Sequence, residues 1–130
     1  MKSALDAVNI LHQVVSSSSL KTAINGTVNK LKRPTGSDKE DIVINAITLG
    51  DTNFQEGVFN VNIYVPNLSI QKSSLPNTAR LRELMSIAIT VLQEVSGDDY
   101  IFWIASQSIF EETDINYHFL NTRIEFRFLG

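Results

Sequence analysis

Two segments of this sequence alternate between apolar and polar side chains, and this alternation restricts the possible folds more than any other feature. The first segment spans residues 58–65 and the second is Tyr117–Phe128. Because successive side chains of a β-strand point to opposite faces, both segments predict strands with one buried and one exposed face. Pro66 ends the first strand, since proline cannot donate a backbone hydrogen bond to a neighbouring strand. The side chains predicted to face inward are Phe59, Val61, Ile63, Val65, Leu120, Ile124, Phe126 and Phe128.

Two helices are predicted to cover such a sheet. The first follows Ser3, which stands three residues before Asp6 in the pattern that caps helix starts, and the serine run 16–19 ends it. The second begins near residues 76–78 and extends to Val95, with Gly97 placed for a left-handed cap. Its apolar arc is wider than one buried face needs, because Ile87, Ile89 and Val91 extend the stripe. The wide apolar arc predicts either that this helix is covered by the protein on two sides or that part of it contacts a partner subunit.

The remaining strands are predicted from turn signals and apolar runs. Asn25-Gly26 is typical of a type I′ turn, so residues 20–24 and 27–31 are expected to form a β-hairpin. Residues 41–49 and 100–110 predict further strands, and residues 32–41 and 50–57 predict exposed polar loops. Helices and strands then follow in the order α-β-β-β-β-α-β-β, which does not alternate. We therefore expect a single α+β domain over residues 1–130, with a mainly antiparallel sheet of about four long strands plus a hairpin, packed with two α-helices.

Composition excludes several classes of function. The chain has 130 residues with 11 basic and 14 acidic side chains, a formal net charge of −3 that argues against electrostatic nucleic-acid binding. It has no cysteine, which excludes thiolate nucleophiles, disulfide scaffolds and cysteine-ligated metal sites. The N-terminal segment lacks the unbroken apolar run of a signal peptide, and no run is long enough to span a membrane. We expect a protein made in the cytoplasm.

No combination of residues predicts a catalytic, metal or cofactor site. His12 is expected on the edge of the first helix and His118 near the start of the last strand, and both are interpreted as structural. The acidic pairs Asp98-Asp99 and Glu111-Glu112 flank strands, where they are typical of solvated ends rather than a general acid–base pair. We therefore expect no enzyme activity, no metal and no cofactor.

One basic cluster is followed directly by acidic residues. Lys30, Lys32 and Arg33 precede Asp38, Glu40 and Asp41, so the cluster is interpreted as part of a solvated loop of mixed charge.

Several strand and turn patterns occur together between Lys30 and Phe128. They are Lys32-Arg33-Pro34, Glu40-Asp41-Ile42-Val43-Ile44-Asn45, residues 57–68, Ala79-Arg80-Leu81, Ser106-Gln107 and Arg123-Ile124-Glu125-Phe126. In this combination the chain resembles the tail-completion (tail terminator) proteins of phages and prophages, the lambda tail terminator group.

The resemblance implies a structural subunit of virion assembly that forms a homo-oligomeric ring, typically a hexamer. Such a ring caps the tail tube, stops its polymerisation and joins it to the head connector. The implied partners are further copies of this chain, the tail tube protein and the head–tail connector protein. The implied location is the head-proximal end of the virion tail. The family has no catalytic residues to transfer to this chain.

If the resemblance holds, two groups of residues are expected to make the contacts of the ring. Subunit contacts are assigned to an outer strand face and to the wide helix arc, namely Arg123, Glu125, Arg127, Ile87 and Val91. Contacts with the tube or connector are assigned to the two polar loops, namely Arg33, Asp38, Lys39, Glu40, Asp51, Phe54 and Gln55.

Three alternatives stay open at this point. A head–tail adaptor or head-closure protein of the same gene cluster is built similarly. A stand-alone module for a small molecule or peptide would need a concave apolar pocket, which strand patterns do not exclude. An enzyme built on the acidic pairs would need a divalent metal, whose binding would raise the melting temperature.

Overall fold

A computed structural model describes residues 2–49, 56–68 and 75–129 of the chain. Its six strands form one mixed sheet in the order β1-β2-β3-β6-β5-β4, in which β1 runs parallel to β2 and every other neighbouring pair is antiparallel. In chain order the elements are α1 (Ala4–Ser16), α2 (Ser19–Ala23), β1 (Val28–Lys30), β2 (Ile42–Leu49), β3 (Glu56–Pro66), α3 (Thr78–Leu92), β4 (Glu94–Ser96), β5 (Tyr100–Glu112), a 3₁₀ turn (Thr113–Ile115) and β6 (Tyr117–Phe128). The α+β class predicted from the sequence is confirmed.

Local capping explains where the two long helices begin. Ser3 and Asp6 form a complete capping box at α1, in which the Asp6 amide donates to Ser3 Oγ at 3.2 Å and the Ser3 amide donates to Asp6 Oδ2 at 2.7 Å. The hydrogen bonds from Ser3 hold the pKa of the Asp6 carboxyl below its usual value. Asn77 caps α3, since its Oδ1 accepts from the Arg80 amide at 3.2 Å.

The core lies between one face of the sheet and the helices α1 and α3. The inward residues of β3 and β6 predicted from the alternation are all buried, which confirms both strands and their orientation. Phe59 and Phe126 meet edge to face with ring centroids 5.7 Å apart, and Phe102 stacks on Phe126 at 5.6 Å. Leu11 of α1 and Leu84 of α3 are fully buried against this layer. None of the described helices has the length and apolar content that a membrane span requires.

The predicted hairpin at Asn25-Gly26 is wrong. Its first half is the short helix α2, and its second half contributes β1, which pairs in parallel with β2. Among the described residues, Leu31, Gly36 and Asn116 have positive φ, so the Asn-Gly step lacks the conformation of a type I′ turn. Long-range packing overrides the local signal. The Asn25 side chain accepts the Glu40 amide at 2.8 Å, and the backbone of Glu40 lies directly against the Gly26 α-carbon.

The end of the second predicted helix also differs from the prediction. α3 stops at Leu92, and Val95 belongs to β4, which pairs with β5. Gly97 does not adopt the predicted left-handed conformation; instead the ring of Tyr100 fills the space where a Cβ would stand. With these changes the described chain has three α-helices and six strands, rather than two helices and four strands plus a hairpin.

Candidate functional site

The sheet face opposite α1 and α3, which we call the open face, carries the polar and aromatic side chains of the central strands. Strands β3 and β6 present Asn60, Asn62, Tyr64, Phe119 and Asn121 on this face, because these residues alternate with the buried core positions. No helix among the described residues covers them. The open face therefore carries sheet side chains that the hydrophobic core does not use, and these five are half-buried or buried.

Four asparagines form a hydrogen-bonded row across three strands of the open face. Asn60 Nδ2 donates to Asn45 Oδ1 at 2.8 Å, and Asn121 Nδ2 donates to Asn60 Oδ1 at 2.8 Å and to Asn62 Oδ1 at 2.7 Å. Asn62 and Asn121 are directly opposite in the register of β3 and β6, and both are buried. Paired amides of this kind are satisfied without water, so the row stiffens the middle of the open face.

A guanidinium clamp holds the loop of residues 31–41 over one end of the open face. Arg33 lies above the rings of Tyr64 and Tyr117, with its Cζ 4.9 Å and 4.3 Å from the two ring centroids. The same group donates to Asp41 Oδ2 at 3.0 Å and to the Lys39 carbonyl at 3.2 Å. These contacts fasten the loop to the sheet.

A second arginine fastens the same loop from the helix side. Arg80 of α3 donates to both carboxylate oxygens of Glu40, at 2.7 Å and 2.8 Å, and to the Ala23 carbonyl. The hydrogen bonds to Glu40 raise the pKa of the Arg80 guanidinium above its usual value. The loop that was predicted to be solvated is thus fixed at Asp41 and at Glu40.

A cavity of about 540 Å³ opens between this loop, the open face and the turn after β5. Burial, and secondarily the nearby Glu112 carboxylate, raise the pKa of the Tyr64 phenol. Both signs of charge border the cavity, with Lys32 on the loop and two carboxylates at the turn. Its lining includes Leu31, Lys32, Val43, Tyr64, Glu112 and Asp114.

Both histidines make contacts of a structural kind. His12 Nε2 donates to the Val28 carbonyl at 3.0 Å, which ties α1 to β1. His118 is buried, with Nδ1 2.6 Å from Asn67 Oδ1 and Nε2 3.7 Å from Glu111 Oε2. Within the described ranges, no group of three or more histidine, aspartate or glutamate side chains is placed to hold a metal ion.

The strand residues predicted to make subunit contacts share the open face of β6. Arg123 and Glu125 are exposed, and Glu125 accepts from Trp103 Nε1 at 3.0 Å. Arg127 pairs with Glu56 on β3 at 2.7 Å. The three side chains therefore form one charged strip.

The helix residues predicted to join them lie on the other side of the sheet. Ile87 and Val91 are half-buried on α3 and pack against the hydrophobic core. Ile89, beside them, is the more exposed member of the wide apolar arc. A single flat contact cannot include both the α3 residues and the strip on β6, because the sheet separates them.

The loop residues predicted to meet a tube or connector divide into two groups. Arg33 and Glu40 are turned inward in the contacts above, whereas Asp38 and Lys39 lie on the outside of the loop. Asp51, Phe54 and Gln55, also predicted there, lie outside the described residues.

The asparagine row and the guanidinium clamp of Arg33 were not predicted from the sequence. The alternating pattern of β3 does place Asn60, Asn62 and Tyr64 on one face, so this part of the site could have been found from the sequence. Their partners Asn45 and Asn121 come from strands whose register the sequence does not specify.

Comparisons with known proteins support the fold and leave the function open. Neither the family models nor the curated proteins include a match to this chain. A solved structure, of a protein whose own name states no function, is similar with a TM-score of 0.52 and 15% sequence identity. The similarity covers 96% of this chain and 96% of the other. At that identity the likeness shows a shared fold alone.

Proposed function

We propose that this protein is a structural subunit of a phage or prophage tail, a tail terminator that assembles into a ring, caps the tail tube and joins it to the head connector. The proposal starts from the resemblance of residues 30–128 to the tail-completion family. Its supporting observation is the one-sided sheet, which buries its core under α1 and α3 and leaves the charged strip of Arg123, Glu125 and Arg127 on the opposite face.

A one-sided sheet suits a ring subunit for a physical reason. A head-to-tail contact that closes into a ring needs two different surfaces on each copy. The helix layer and the open face are two such surfaces, differing in chemistry. The clamped loop lies over one end of the open face with Asp38 and Lys39 on its outer side, and this loop is the part that we assign to the tube or connector.

The decisive experiment measures the mass of the purified protein across a concentration series, by light scattering after size-exclusion chromatography. Negative-stain images of the main peak then show whether the particles are rings. We expect a closed ring of several subunits, with six as the leading number. A strict monomer at the highest soluble concentration would contradict the proposal.

The cavity beside Tyr64 favours a second candidate, a binding module for a small molecule or peptide. Its volume of about 540 Å³ falls within the range of ligand sites, and it combines apolar walls with charged groups. In that case the protein stays monomeric, and a melting-temperature screen of small molecules and short peptides finds a stabilising ligand. A head–tail adaptor or head-closure role would retain the ring and differ in the proteins that it binds.

A further inference from the structure

The cavity beside Tyr64 is lined by charged groups of both signs that do not pair with each other. Lys32 lines it from the clamped loop, and Glu112 and Asp114, which we call the acidic turn, line it from the end of β5. Within the described ranges these three side chains form neither an ion pair nor a hydrogen bond. Their charges are therefore available to a ligand.

The sheet contributes two uncharged polar groups to the same cavity. Asn45 uses Oδ1 to accept from Asn60, and its Nδ2 donates to no described residue. The Tyr64 hydroxyl likewise bonds no described group, and burial, with the Glu112 carboxylate as a lesser cause, raises the pKa of this phenol. Val43 adds an apolar surface beside them. A few available polar groups among apolar walls are typical of a ligand site.

The basic end of the cavity is at Asn45. Tyr64 lies level with Asp41, because the Tyr64 amide donates to the Asp41 carbonyl at 2.8 Å. Asn45 is four residues further along β2, which corresponds to about 13 Å of extended strand. The Leu31 amide donates to the carbonyl of residue 44 at 2.8 Å, so Lys32, the next residue, leaves the sheet at the Asn45 end.

The acidic end of the cavity is at Tyr64. Glu112 is paired with Tyr117, which is paired on its other side with Pro66. Pro66 follows Tyr64 by two residues, and β3 runs antiparallel to β2, so this level of the sheet lies beyond Tyr64 on the side away from Asn45. The register of the sheet thus separates the two signs of charge along the cavity.

From this arrangement we infer that the cavity binds a short extended peptide, with its amino terminus at the acidic turn and its carboxylate at Lys32. The inference rests on the second candidate function, the binding module, and names its ligand. Three extended residues span about 10 Å, which is close to the length of sheet between Tyr64 and Asn45. A free amino acid carries both charges on one carbon and is too short to reach both ends.

Other classes of ligand match fewer of the available groups. An anion would use Lys32 and the Asn45 amide but would be repelled by the acidic turn, and a cation would meet the reverse arrangement. An apolar molecule would remove all of these groups from water without pairing any of them, which costs binding free energy. A peptide satisfies both ends, and Leu31 and Ile115 offer its side chains an apolar wall.

Isothermal titration calorimetry with the tripeptide Ala-Leu-Ala tests the inference. We expect one peptide to bind per chain. Acetylating its amino terminus or amidating its carboxylate should each weaken binding at least tenfold, because each change leaves charged groups of the cavity without a partner.

Variants at the two ends of the cavity should lose opposite preferences. Lys32→Gln should bind Ala-Leu-Ala and its amide equally, while acetylation still weakens binding. The double variant Glu112→Gln/Asp114→Asn should show the converse, and a general loss of structure would not produce this crossed pattern. The matched controls are Lys30→Gln and Glu111→Gln, which remove neighbouring charges from the other face of the sheet and should bind as wild type does.

The outcomes separate the peptide site from the function on which it rests. No heat of binding with Ala-Leu-Ala up to its solubility overturns the inference. Equal binding of the free and the blocked peptides also overturns it, and leaves a binding module with a different ligand. Light scattering on the same samples reports assembly independently. A protein that forms rings and binds the peptide through both termini would support the site and contradict a monomeric module.

Discussion

Arg80 connects three parts of the fold. It joins α3 to the clamped loop through Glu40 and to the end of α2 through the Ala23 carbonyl, and its own side chain is 23% exposed. The Glu40 side chain is 11% exposed, so removing its partner leaves a carboxylate that water reaches poorly.

Replacing Arg80 is therefore expected to destabilise the protein. We predict that Arg80→Met lowers the free energy of unfolding by about 3 kcal/mol, the cost typical of an unpaired buried charge, as measured by urea denaturation. The control is Glu83→Gln, which removes the other carboxylate of Arg80 at a position that is 61% exposed. That change should cost about 0.5 kcal/mol or less. Equal losses in the two variants would mean that the Glu40 contact adds nothing to stability.

At alkaline pH, the titration of Tyr64 makes the free energy of unfolding depend on pH. Its phenol has a raised pKa in the folded state, so above the ordinary value of 10.0 the unfolded chain loses this proton first. The unfolded state then binds fewer protons than the native state, and stability falls as the pH rises from about 10 through the higher folded value.

The variant that isolates this effect is Tyr64→Phe. We predict that wild type and variant have similar free energies of unfolding at pH 8, because no described protein group bonds the Tyr64 hydroxyl. Above pH 10 the wild type should lose more stability than the variant, and the difference between their urea curves measures it. A constant difference across the alkaline range would show that Tyr64 titrates alike in both states.

At the level of secondary-structure elements, patterns that depend on residues close in sequence were predicted correctly, whereas pairings between distant residues were not. α1, β3 and β6 follow from side-chain period and from the Ser3 cap, because a helix face or strand face is determined by residues close in sequence. The predicted hairpin at Asn25-Gly26 is wrong because Glu40 and Asp41, some fifteen residues away, determine the backbone conformation there. The asparagine row was not predicted for the same reason, since it depends on the register of three strands.

Gly26 tests how strongly that distant contact fixes the junction between α2 and β1. A Cβ on Gly26 would stand against the Glu40 carbonyl oxygen and Asp41 Oδ1, neither of which can move without loosening the clamped loop. We predict that Gly26→Ala lowers the free energy of unfolding by about 2 kcal/mol, the scale of overpacking, in urea denaturation.

The matched control for Gly26 is another glycine of the same region. Gly36 has φ +74°, and no described atom lies within 4 Å of the place where its Cβ would stand, so its substitution meets only backbone strain. Gly36→Ala should cost about 1 kcal/mol, the penalty of left-handed backbone for a residue with a Cβ. If Gly26→Ala is the milder of the two, then Glu40 and Asp41 do not hold the junction rigidly.

At the scale of the whole molecule, the charged strip of β6 links the fold to the proposed ring. Arg123 is exposed and forms no ion pair with the described residues, whereas Arg127 pairs with Glu56 of its own chain. The two arginines therefore differ as probes. Reversing Arg127 alone would create repulsion within the subunit, so any loss of assembly would be ambiguous.

Arg123→Glu is the clean test of the strip as a subunit contact. We predict that it weakens assembly roughly tenfold, since like charges across an interface oppose association, while the melting temperature of the subunit stays close to that of wild type. Light scattering across a concentration series measures the first quantity and thermal unfolding the second. The double variant Glu56→Arg/Arg127→Glu keeps the internal pair with its signs exchanged, so it tests position 127 without repulsion inside the subunit. Wild-type assembly in Arg123→Glu would remove the strip from the ring contact.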